Sequence, residues 1–279
     1  VSIGADAFLN CYELSRVTLP ASLETIGSGA FWAVSNLTTA GPVGGDYDLQ
    51  LGWNTRIPDY GLWEFDYLTD ITVPEGVTAI GESAFRLMTR LTSISLPDSL
   101  RSIGDDAFYS CTGLTSLVIP PNVTTLGANL FYNCENLASL TIPAEVYHVD
   151  DSGNRLLGFS GYSGCDSLTQ LTVTGTGAIG PYEYGSIFPS SITDLIISEG
   201  ITSIGDEALS RNRNLSSISF PSTLTSIGRN AFSYCTGLTA LSLPQGLISI
   251  GDEAFYSSGL TELILPQRLQ SIGAGAFAY

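Results

Sequence analysis

One pattern of about 23 residues runs along nearly the whole chain, and it restricts the fold more than any other feature of the sequence. It reads Ile-Gly-x-x-Ala-Phe-x-x-Cys-x-x-Leu-x-x-Leu-x-Leu-Pro. Phe8 and Phe31 stand one period apart, as do Phe85, Phe108 and Phe131, and then Leu209, Phe232 and Phe255; Phe277 follows one residue early. The Leu that opens the next segment keeps step at Leu14, Leu37, Leu68, Leu91, Leu114, Leu137, Leu168, Ile192, Leu215, Leu238 and Leu260. These positions predict about eleven coils of ~23 residues in an α/β repeat solenoid, with parallel strands joined by short helical turns.

The segment after Leu91 illustrates the reading. Leu91, Ile94 and Leu96 face inward by strand alternation, so Ser93 and Ser95 face out. Pro97 ends the strand because it has no N–H for a ladder. Leu100 and Ile103 add two more inward side chains, and Gly104 makes a corner. Asp105 and Asp106 are expected to open a helical turn at its positive end, with Ala107 and Phe108 buried beneath. Gly113, replaced by Asn36, Asn136 and Asn214 in other coils, suits a left-handed turn into the next strand. A single coil buries too little apolar surface to offset the entropy of ordering it, so coils must stack.

These residues closely resemble the BspA-like leucine-rich repeat family, and the likeness spans essentially all of 1–279. The resemblance implies a leucine-rich repeat solenoid, secreted or displayed on the bacterial cell surface, with a role in adhesion or protein binding and no catalytic residues. The pattern departs from the family at the Phe position (Leu62, Tyr162, Leu209), the Gly position (Pro58) and the Ala position (Leu130, Gly161). These are changes of core volume. The chain starts and stops within a repeat, which predicts a single solenoid over 1–279 that is truncated at both ends.

Composition removes several functions. Ten basic residues, all Arg, stand against 27 acidic ones, for a formal charge of -17; a phosphate backbone would be repelled. No apolar run approaches the roughly 18 residues of a membrane helix, so no membrane insertion is expected within this segment. One His among 279 residues leaves no multi-His metal site and few His-based triads. No metal and no cofactor is expected. The five cysteines, Cys11, Cys111, Cys134, Cys165 and Cys235, all sit three residues after the Phe position, where other coils carry Val34, Met88, Asn212 and Ser258. That favours buried, inward-facing free thiols over disulfides.

Two insertions interrupt the period at the same point of the coil, at 43–56 and 144–156. Insertions in solenoids emerge on one face, often the binding face. Tyr47 and Trp53 in the first, with Tyr147, His148, Asp150, Asp151 and Arg155 in the second, either bracket a ligand groove or, as Trp53 and Leu51 allow, fold back to patch the core. A smaller irregularity lies around 182–189. One residue past the Phe position runs Trp32, Trp63, Arg86, Tyr109 and Tyr132, which either packs the turns together or forms a binding strip with a cation–π contact at Arg86. The outward strand positions Ser93, Ser95, Ser116, Thr141, Thr172, Ser217, Ser219 and Ser242 form a hydroxyl-rich, weakly charged face. Acids after the corner glycine, such as Glu82, Asp105, Asp206 and Asp252, make a solvated edge or, less simply, a calcium site.

No Gly-x-Ser-x-Gly elbow occurs, and the one base available to a Cys nucleophile is His148. The expected function is therefore non-catalytic: a module for protein–protein interaction or adhesion, its partner a protein of host or bacterial surface, or a glycan. The alternative is a glycan-binding or spacer module of a larger secreted enzyme.

Overall fold

Alternating apolar residues followed by proline form short strands, and the next Ser/Thr-Ile pair forms a second strand before the corner glycine. In a computed structural model these strands stack in parallel from coil to coil. The structure describes residues 1–20, 22–27, 29–34, 37, 39–42, 49–51, 55–63, 65, 67–144, 147–149, 155–157, 161–180 and 188–279. They divide into two compact units: 1–138 with 148–154 and 161–167, and 139–147 with 155–160 and 168–279.

In the first unit, strands Thr39–Pro42, Asp70–Thr72 and Ser93–Ser95 form one ladder, with Ile71 beside Ile94. A second ladder joins Arg56–Ile57, Ala79–Ile80, Ser102–Ile103 and Thr125–Leu126. In the second unit, Ser139–Pro143, Gln170–Thr174, Asp194–Ile197 and Ser217–Ser219 make one ladder. Its other ladder runs through Gly177–Ile179, Ile201–Ile204, Ser226–Ile227, Ser249–Ile250 and Ser271–Ile272. The chain makes a parallel-strand β-solenoid of about ten turns, against the eleven coils expected from the leucine count.

The expected helical turns are absent: no helix occurs among the described residues. The reason lies in two left-handed residues per turn, two before and two after the Phe position. Asp106 and Ser110 have φ of 54° and 56°, and Asn129 and Asn133 have 49° and 60°. Left-handed backbone breaks a right-handed helix and costs roughly 1–2 kcal/mol at a non-Gly residue. It also turns alternate N–H groups toward the neighbouring coil. Asp106, Phe108 and Ser110 donate to the carbonyls of Ala128, Leu130 and Tyr132 at 2.9, 3.1 and 2.8 Å, while Tyr109 and Cys111 bond back to Asp106 and Phe108. The turn is thus a third ladder between coils, where a helix would have kept its amides to itself.

The matched phenylalanines align in columns. Phe85, Phe108 and Phe131 stack at 5.2 and 5.8 Å, and Phe232, Phe255 and Phe277 at 5.2 Å each. In the coil with Leu62 at the Phe position, the ring comes from Phe65, which is buried and lies 4.8 Å from Phe31. Leu62 takes the Phe position and Phe65 the position where other coils have Cys, so the column keeps a ring in this coil.

The corner glycines are required by close approach. A Cβ on Gly127 would lie 2.2 Å from the Asp105 nitrogen, and one on Gly104 2.6 Å from that of Glu82. Gly113 is not left-handed, contrary to expectation; a Cβ there would sit 2.6 Å from the Thr89 oxygen. Where Asn replaces it, the side chain bonds the preceding coil: Asn136 Nδ2 donates to Thr112 O at 2.7 Å and Asn214 Nδ2 to Ser190 O at 2.8 Å.

Candidate functional site

The buried thiols are polar parts of the scaffold. Cys111, Cys134 and Cys165 donate through Sγ to the carbonyls of Phe85, Phe108 and Phe131 at 3.1, 3.0 and 2.9 Å, and Cys235 to Leu209 O at 3.2 Å. Each satisfies the carbonyl of the preceding coil's Phe position. Burial pushes Cys111 and Cys235 up to about 12, and the neighbouring Cys165 thiol together with burial pushes Cys134 up as well. Such thiols are poor nucleophiles. Cys11 departs from the expectation and is exposed, because the coil carrying Phe8 stacks on one side only within this chain.

The aspartates just past the corner, after glycine or, for Asp59, after Pro58, also face their neighbours. Asp59, Asp105, Asp206 and Asp252 each accept, through Oδ1, the amide of the residue one coil on: Glu82 at 2.9 Å, and Ala128, Arg229 and Ala274 at 2.7 Å. They therefore hold coils together, and do not cap helices. Arg229 also lies 3.7 Å from Glu207. No cluster of three or more His, Cys, Asp or Glu side chains suited to a metal occurs among the described residues.

Of the insertion residues, Tyr47, Trp53, Asp150 and Asp151 lie outside the described residues, as does most of the irregular stretch 182–189. Tyr147 and His148 fall in strand Tyr147–Val149, and Arg155 in strand Arg155–Leu157. The first insertion is not wholly a loop. Its strand Leu49–Leu51 enters the ladder in parallel between Val17–Thr18 and Thr39–Pro42, with Leu49 paired to both Val17 and Ala40.

The strip past the Phe position is brought together in part. Tyr109 and Tyr132 stack at 4.8 Å, and the Arg86 guanidinium lies 4.0 Å over the Tyr109 ring. Arg86 Nη1 also donates to Asp106 Oδ2 at 2.6 Å, so its charge is spent within the scaffold. Trp63 meets Tyr60 edge-on at 5.9 Å, and Trp32 is 63% exposed. A comparable aromatic run without a fixed place in the repeat, Tyr234, Tyr256 and Tyr279, follows the second unit's turns at 5.5 and 5.1 Å, so the spacing alone gives no signal for it.

The strand face of the first unit holds a feature with no trace in the leucine spacing. Strands Ser93–Ser95 and Ser116–Val118 are one period apart, yet they belong to different sheets. Ser93 N–H donates to Thr69 O and Val73 N–H to Ser95 O, but their equivalents one coil on, from Ser116 to Thr92 and from Leu96 to Val118, are absent among the described residues. The other two ladders between these coils are intact. Over this seam lies a groove of about 360 Å³ lined by Ser93, Ser95, Ser116, Val118, Asp98 and Pro121, with Val118 62% exposed. That volume is in the range of roughly 300–1,000 Å³ usual for ligand sites.

The profile of the BspA type leucine rich repeat region matches residues 1–41, 55–153 and 157–279 in six copies. No curated protein matches. Among solved structures, a leucine-rich repeat protein of Bacteroides ovatus is 26% identical over 100% of this chain and 79% of its own, with a TM-score of 0.50. A leucine-rich repeat protein of T. pallidum is 22% identical over 72% of this chain and 78% of its own (TM-score 0.43). A leucine rich cell surface protein of Faecalibacterium prausnitzii is 23% identical over 99% and 80% (TM-score 0.39). With the profile covering most of its length and the phenylalanine columns in place, the chain belongs to the BspA type leucine rich repeat family.

Proposed function

We propose that this chain is a non-catalytic recognition module, displayed on or secreted from a bacterial cell, that binds protein through its outer surface. One observation supports the reading: among the described residues, the four buried thiols and the acids at the corners are engaged in holding coils together. Buried thiols bond carbonyls, acids bond amides of the next coil, and Arg86 is paired. What remains outward on the strands is a weakly charged face of hydroxyls with the groove beside Val118, suited to contact and lacking a nucleophile–base pair. Leucine-rich repeats commonly present such extended binding surfaces. We assign further contact residues to the insertions at 43–56 and 144–156.

The test is an array of extracellular-matrix and bacterial surface proteins, with glycans alongside, probed with purified 1–279 and with a variant whose two insertions are cut to regular coil length. Saturable binding of a protein, weakened in the shortened variant, supports the reading. Turnover in a hydrolase panel, or binding confined to glycans, overturns it.

A further inference from the structure

We infer that the seam between Ser93–Ser95 and Ser116–Val118 takes up an extended peptide segment of a partner protein as an additional parallel strand. The inference deepens the protein-binding reading and rests on it. Two parallel strands one coil apart face each other without ladder bonds, so their inward edges offer N–H and C=O groups to a third strand. Parting the two strands breaks no ladder bond between them, the coils being tied at the groove's end by Asn122 Nδ2, which donates to Asp98 O at 2.9 Å, whereas an inserted strand can bond both edges.

The chain itself shows that the ladder accepts such a strand. Leu49–Leu51 lies between Val17–Thr18 and Thr39–Pro42, one coil apart, paired in parallel to both. The aromatic column stays closed there, with Phe8 and Phe31 at 4.8 Å, so the strand face opens while the core does not. At the 93/116 seam the chain supplies no such strand, and a groove lies in its place. The second unit repeats the break between Ser217–Ser219 and Ala240–Ser242.

The lining indicates what the peptide carries. Val118 offers an apolar contact, the serines accept small or polar side chains, and Asp98 at the rim favours a basic residue. The surrounding chain is strongly acidic, which also favours a basic peptide.

The probe is a synthetic peptide with the sequence of residues 47–53 and an arginine at each end, titrated into isotope-labelled 1–279 and followed by amide NMR. The expected result is perturbation and slowed exchange of the amides of Ile94, Leu96, Ser116 and Val118. Ser116→Pro, which removes a seam N–H, should abolish the effect. Should that variant not fold, Asp98→Lys should weaken the arginine-flanked peptide by about tenfold and strengthen a glutamate-flanked one. The inference falls if millimolar peptide leaves these amides unmoved, if the shifts map elsewhere, if cellohexaose moves them and the peptide does not, or if they are already exchange-protected in the free protein. A protein bound in the array by a Ser116→Pro chain as tightly as by the parent sinks the seam and leaves the broader reading standing.

Discussion

Asp105 reaches across a coil boundary and accepts the amide proton of Ala128 at 2.7 Å. The contact explains why an acid recurs just past the corner, after Pro58 at Asp59 and after glycine at Asp206 and Asp252. Removing the acceptor leaves an amide at the turn without its partner. Asp105→Ala should therefore cost about 1–2 kcal/mol despite lying at the surface, whereas Asp98→Ala, whose carboxylate makes no such bond, should cost under about 0.5 kcal/mol. Urea unfolding of the two variants makes the comparison, and equal losses would contradict the stacking role.

The same close approach makes Gly127 irreplaceable. A Cβ there meets the Asp105 nitrogen at 2.2 Å, a backbone atom that cannot move without shifting a coil. Gly127→Ala should destabilise by about 3 kcal/mol. At Gly4 a Cβ meets nothing within 4 Å, so Gly4→Ala should be neutral or slightly stabilising. Thermal melts of both variants decide it, and a mild Gly127→Ala would refute the steric account.

Phe65 tests compensation in the aromatic column. Phe65→Ala should cost about 3–5 kcal/mol. Leu62→Phe alone should overpack by roughly 1–3 kcal/mol, while Leu62→Phe with Phe65→Cys, which restores the common pattern, should recover most of the loss. A double-mutant cycle measures the coupling, and strict additivity would show that the two side chains do not share a site.

Thiol reactivity separates Cys11 from the rest. At pH 8 a colourimetric thiol reagent should label Cys11 rapidly and the four buried cysteines only on unfolding. Cys111 and Cys235 keep their protons to about 12 in the fold, against about 8.5 when unfolded. Their folded values are raised, so their contribution is complete below about pH 8.5 and lost as pH climbs toward the folded value. Urea midpoints at pH 7 and pH 10 should fall less for Cys111→Val with Cys235→Val than for the parent, and an identical fall would dismiss the thiols as its source.

The repeat was legible because burial is periodic: stacking forces apolar residues into register, and Phe8 through Phe277 record it. Left-handed residues leave a weaker record, since Asp, Asn, Ser, Glu and Arg all occupy them, so the turn at Asp106 was read as helical. Likewise an acid on a helix and an acid reaching the next coil look alike in a string of letters.

The sequence by itself determined the stacked parallel coils and the inward columns. Only the tertiary structure decided which inter-coil hydrogen bonds form. It alone revealed that Cys134 serves Phe108, that Leu49–Leu51 enters a ladder, and that Ser93–Ser95 and Ser116–Val118 stand apart. Apolar spacing encodes which side chains point inward, whereas the pairing of backbone edges depends on how neighbouring coils tilt, and no residue's identity specifies that.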